Sequence, residues 1–286
     1  MIDVNPDRAW ELVMRRIVFA AVMMVGAVQG TSAADLPILR GGFSEGLLPP
    51  PVVDWQGVYI GGHAGTGRSD MNFAGATRSV VERLLTNTTL EQEARVSDWP
   101  LLGKESSRGN GVGGFIGYNS QWDDVVVGVE LNYMHGTFGG EASGAMGRSY
   151  VASDGYTYGV TSEGRARIAI NDIGTIRARA GYVCGVFLPY IFGGVALGQA
   201  DIERSAQVYG VAVNPAAAPG FQNIPFDYSK TDSQKSHLLY GYTAGLGVDV
   251  NLMAGLFLRA EWEYIRFTSS IDTNVNTVRA GLGYKF

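Results

Sequence analysis

The chain has 286 residues, a net charge of −5 and only 17% charged residues, with a mean hydropathy of +0.04. That mild acidity disfavours nucleic-acid binding. The single Cys184 excludes an intramolecular disulfide and a multi-cysteine metal site. Beyond residue 34 no stretch approaches the roughly 18 apolar residues of a membrane helix, and the 40 glycines show no collagen-like period of three.

The first element is a predicted signal peptide over residues 1–34. Arg15-Arg16 precedes the apolar run Ile17 to Val28, and small residues end at Ala33-Ala34. That is the anatomy of a cleaved export signal. The first thirteen residues, with Trp10 and three acids, do not resemble its charged start, so Met14 is an alternative initiation site. Residues 35–54 read as a Pro/Gly-rich periplasmic linker, because Pro49-Pro50-Pro51 cannot donate to a sheet.

From 55 to 286 the sequence predicts eight strands, at 55–65, 111–121, 125–136, 164–183, 189–202, 237–250, 256–268 and 275–286. Each alternates with a period of two. In the last, Val278, Ala280, Leu282, Tyr284 and Phe286 oppose Thr277, Arg279, Gly281, Gly283 and Lys285. In 256–268, Leu258, Ala260, Trp262 and Tyr264 oppose Arg259, Glu261 and Glu263. The glycine-rich segments 55–65, 111–121 and 189–202 leave their facing open. Links after the second, fourth and sixth segments are tight, while 66–110, 137–163 and 203–236 are long. A soluble sandwich has no reason to alternate its loops so. An outer-membrane barrel does, with short periplasmic turns and long external loops. Unpaired backbone groups are costly in lipid, so the sheet must close. The predicted fold is all-β: an eight-stranded, antiparallel, up-and-down transmembrane β-barrel.

Two constellations follow from the facing. Glu130, Arg177, Arg179, Arg259, Glu261, Glu263, Arg279 and Lys285 are expected in the barrel interior. They line a solute path or pair with one another; an eight-stranded barrel is only wide enough for side chains to fill it. Aromatic girdles are expected from Trp55, Trp122, Tyr182, Tyr190 and Tyr284 at one rim, and Tyr133, Tyr240, Trp262 and Tyr264 at the other. Asp172 falls on the outward parity and is placed above the lipid. Val81, Leu84 and Leu85 have the spacing of a short helix over the barrel mouth.

Several segments resemble small α-proteobacterial outer-membrane proteins, the porin-family surface antigens of the OmpA-like barrel superfamily. They are Trp55-Gln-Gly-Val-Tyr-Ile-Gly-Gly, Gly114-Phe-Ile-Gly-Tyr-Asn, Gly174-Thr-Ile-Arg-Ala-Arg-Ala-Gly-Tyr, Leu188-Pro-Tyr-Ile-Phe-Gly-Gly-Val-Ala and Val278-Arg-Ala-Gly-Leu-Gly-Tyr-Lys-Phe. The resemblance implies residence in a Gram-negative outer membrane, among its lipids. It also implies an assembly signal at Tyr284 and Phe286, read by the outer-membrane assembly machinery.

The function expected is envelope integrity and surface display by a monomer, with at most weak porin-like passage of small solutes. It needs no cofactor, metal or nucleic acid. Because related barrels include haem binders, His63, His135 and His237 make a haemin-binding surface protein one alternative. An outer-membrane lipid-modifying enzyme using Ser236-His237 or His63 is another. No H-E-x-x-H motif supports it, and the chain is read as no enzyme.

Overall fold

In the computed structural model, residues 53–269 and 271–286 are described. The expected signal peptide, and the linker up to residue 52, lie outside them. Eight antiparallel strands form a closed barrel in which each pairs with its sequence neighbours. They are β1 (Gly57–Asn72), β2 (Lys104–Trp122), β3 (Val125–Val151), β4 (Thr157–Tyr182), β5 (Phe187–Val213), β6 (Asn223–Met253), β7 (Leu256–Thr268) and β8 (Asp272–Lys285). Between β1 and β2 lie two short helices, α1 (Arg78–Leu84) and α2 (Thr89–Ala94).

The pairing fixes the barrel's dimensions. Starting at Tyr59, hydrogen-bonded partners run through Gly117, Glu130, Arg177, Gly194, Thr243, Ile265 and Val275. They return to β1 at Ser69, ten residues further on. Eight strands with a stagger of ten tilt about 40–45° and give a Cα radius of roughly 8 Å. Side chains alone fill such a space.

Polarity divides the barrel into two tiers. In the lower tier the outward face is apolar, as in Val125, Val127, Val129, Leu131 and Tyr133 of β3. The inward face there is polar. Higher up the arrangement inverts: Phe138, Ile168, Ile170 and Ile202 point inward, while Glu163, Arg165, Arg167 and Glu203 point outward. Register shifts mark the border, at His135/Phe138, Ile170/Asp172 and Ala200/Ile202. They come from bulges in β4 and β6, which re-aim the side chains beyond them, while β3 and β5 keep their facing and change residue type. The lower tier is a sheet built for lipid, the upper one a sheet built for water.

This inversion corrects the expected loops. Residues 137–163 and 203–236 are mostly strand: β3 and β4 stay paired up to Val151↔Thr157, and β5 and β6 up to Val213↔Asn223. Because apolar residues there face inward rather than outward, continuing the lower tier's pattern misses them. The inner wall of this extension is filled by α1 and α2, whose Val80, Val81, Leu85 and Leu90 pack with Val160, Ala206 and Val208. The tight turns are as short as their sequences imply. Gly255 adopts φ +87°, and an added Cβ would sit 2.5 Å from the Lys285 carbonyl oxygen.

Candidate functional site: the barrel interior

The inward face of the lower tier carries Glu130 on β3, Arg177 and Arg179 on β4, Arg259, Glu261 and Glu263 on β7, and Arg279 on β8. Asp249 on β6 joins them. None of these eight groups is more than 4% exposed. Period-two facing brings strands distant in sequence to one point in the lumen. Asp249 stood on the polar face of its strand, yet sequence reasoning did not count it as a lumen charge. Its signal was its parity with Thr243.

The contacts form one network. Arg177 donates to Glu130, and its guanidinium lies 2.9 Å from Glu261 and 3.3 Å from Glu263. Arg259 donates from Nε to Asp249 at 2.8 Å and from Nη1 to Glu130 at 2.6 Å. Arg179 reaches Asp249 at 2.7 Å. Arg279 reaches Glu261 at 2.7 Å and Glu263 at 2.9 Å. Tyr59 donates to Glu130 at 2.8 Å, Tyr190 to Glu261 at 2.6 Å and Thr243 to Glu263 at 2.8 Å. Four guanidinium groups thus meet four carboxylates, so the cluster carries no net charge. Charges out of water persist only when they are paired and hydrogen-bonded in this way.

Aromatic rings close the lumen beneath. Arg259 lies 3.9 Å from the Phe115 ring centre, Arg179 3.7 Å from Tyr190 and Arg177 4.2 Å from Phe192. Trp55, Tyr59, Leu188, Tyr190 and Phe257 pack with them toward the turn end. Inward glycines make this possible: a Cβ at Gly117 would lie 2.3 Å from the Tyr59 hydroxyl. Above the charges, Met71, Met134, Ile173, Leu239, Ile265 and Phe267 form an apolar layer.

Several expected positions change. Trp55 and Tyr190 are 3% and 5% exposed and lie inside the barrel, not on a lipid girdle. Glycine-rich strands leave room for large inward rings, and there Val58, Ile60 and Ile191 supply the lipid face instead. Trp122, Tyr182 and Tyr284 are outward at the turn end, and Tyr133 and Tyr240 are outward at the other; Trp262 and Tyr264 are outward but half-buried. Lys285 sits at the turn-end rim, bonded to the Gln56 carbonyl at 3.0 Å, not in the lumen network. Asp172 lies beside the bulge with His135, 2.8 Å from its Nδ1.

The three histidines do not converge. His63 is in the lumen, 3.1 Å from Asn132 and stacked on Phe115. His135 and His237 are exposed on β3 and β6. Among the described residues no three His, Cys, Asp or Glu side chains are grouped to hold a metal. Ser236 sits at a bulge with φ 53°, its hydroxyl 3.1 Å from the Gln199 amide.

Residues 19–286 match the outer membrane protein beta-barrel domain family. The chain belongs to that family. It is similar to the 25 kDa outer-membrane immunogenic protein of Brucella ovis, 23% identical over 89% of this chain and 95% of that one. The 31 kDa outer-membrane immunogenic protein of Brucella melitensis is 26% identical, over 96% of this chain and all of its own length. Among solved structures it is similar to OprG of Pseudomonas aeruginosa, at 14% identity and TM-score 0.37, over 81% of this chain and 96% of that one. This barrel is an outer-membrane protein, similar to immunogenic outer-membrane proteins. Its turn end is therefore periplasmic and its extended end external.

Proposed function

We propose that this outer-membrane barrel is a closed structural element of the envelope that displays its extended upper tier outside, and that it is not a general solute channel. The observation that carries the reading is the charge-neutral Arg–carboxylate network, stacked between an aromatic layer and an apolar one. A conducting pore needs water along its axis, whereas these side chains occupy the axis and satisfy one another. The exposed end of β8 fits an assembly role for Tyr284 and Phe286, whose rings meet edge to face at 5.1 Å. A monomer agrees with the ring of strands, which closes throughout the lower tier and leaves no edge to pair within the membrane.

The test is a deletion strain. Loss of the chain is expected to sensitise cells to detergents and bulky antibiotics while small-solute uptake stays unchanged. Reduced uptake of small solutes with intact detergent resistance would overturn the reading.

A further inference from the structure

On the outer surface, the apolar face of β7, β8, β1 and β2 ends abruptly in arginine. One row of paired residues runs Tyr264, Asn276, Arg68, Arg108 across these four strands. The next row up runs Arg266, Asn274, Asp70, Ser106. Arg68, Arg108 and Arg266 are all exposed. Arg68 and Arg108 stand directly opposite each other, a like-charge pairing that destabilises a sheet unless an anion lies between them. Asp70 answers only Arg68, at 2.9 Å. Among the described residues Arg108 and Arg266 have no carboxylate partner.

A second feature lies on the same strands, nearer the membrane centre. Gly62, Ala64, Leu258, Ala280 and Leu282 line an open apolar depression of about 390 Å³ on the lipid side. Ala64, at the upper end of the depression on β1, is four residues from Arg68, roughly 13 Å along the strand. Its floor is small because the outward residues are small. A Cβ at Gly62 would meet nothing nearer than 3.6 Å, so packing does not demand glycine there.

We propose that this face binds one phosphorylated, acylated glycolipid of the outer leaflet, an acyl chain lying in the depression and a phosphate held by Arg68, Arg108 and Arg266. Guanidinium forks bind phosphate oxygens with short, charge-assisted hydrogen bonds. The patch stands just above the outer aromatic belt, where headgroup phosphates lie. The inference rests on the barrel's orientation in the outer membrane and not on the closed lumen.

Native mass spectrometry of the refolded full chain in detergent tests it, with bisphosphorylated lipid A, dephosphorylated lipid A and phosphatidylethanolamine as probes. One bisphosphorylated lipid A is expected to be retained, with the dephosphorylated form and phosphatidylethanolamine held about tenfold more weakly. Arg68→Gln with Arg108→Gln is expected to remove that preference, and Ala64→Leu to weaken every acylated probe. Heat-modifiable gel mobility checks that each variant folds, and the lipid comparison needs no variant. Equal retention of all three lipids, or an unchanged preference in the double variant, overturns the proposal. So does a dimer abolished by Ala64→Leu with lipid binding intact, which would make the depression a contact between copies of this chain.

Discussion

At the scale of single residues, what matters is which way a side chain points across a wall one residue thick. Trp55 and Trp122 lie near the same periplasmic rim, yet one is inside and the other faces lipid. Reconstituted variants that each keep one tryptophan separate them: brominated lipid is expected to quench Trp122 strongly and Trp55 hardly at all. Equal quenching would return Trp55 to the girdle. Interior and exterior arginines differ in energy as well. Arg259→Met takes one guanidinium partner from both Glu130 and Asp249, and the barrel is expected to lose about 3–5 kcal/mol. Arg266→Gln, on the exposed outer surface, is expected to change stability by no more than about 0.5 kcal/mol. Urea titration in lipid vesicles, read by gel mobility, measures both. The interior charges were legible because period two fixed their facing on β3, β4, β7 and β8. Trp55 and Tyr190 were not, since aromatic rings suit a membrane belt and a glycine-lined lumen equally well.

At the scale of elements, β3 to β6 are each well over twice as long as a membrane strand requires, at 27, 26, 27 and 31 residues. The upper tier extends the barrel roughly 35 Å past the bulges. Sequence alternation located the lower halves well, because lipid demands an apolar outward face. It missed the upper halves because water reverses that demand, and bulges in β4 and β6 change the parity on the way. Helical spacing at Val81 and Leu85 did reveal the α1 region, since burial against β4 and β5 requires one apolar stripe. If the upper tier is paired sheet, amides of Val160–Arg167, on a strand paired on both sides, should exchange far more slowly than those of the turn at 214–222. Hydrogen exchange in lipid nanodiscs measures this. Uniformly fast exchange through 137–163 would restore the expected long loop.

At the scale of the whole molecule, the chain solves three problems with one closed sheet. Closure of the lower tier satisfies its strand edges, the outward lower face dissolves in lipid, and the lumen is packed with paired charges between apolar layers. Strand count and the periplasmic turns were readable from spacing alone. Whether the lumen was a path or a packed core was not, because the same residues serve both and only their mutual distances decide. The neutral network supports a packed core. Single-channel recording of the refolded full chain in planar bilayers tests this most directly. Silent traces at moderate voltage are expected across salt concentrations, whereas stable conductance steps that scale with salt would contradict the closed barrel.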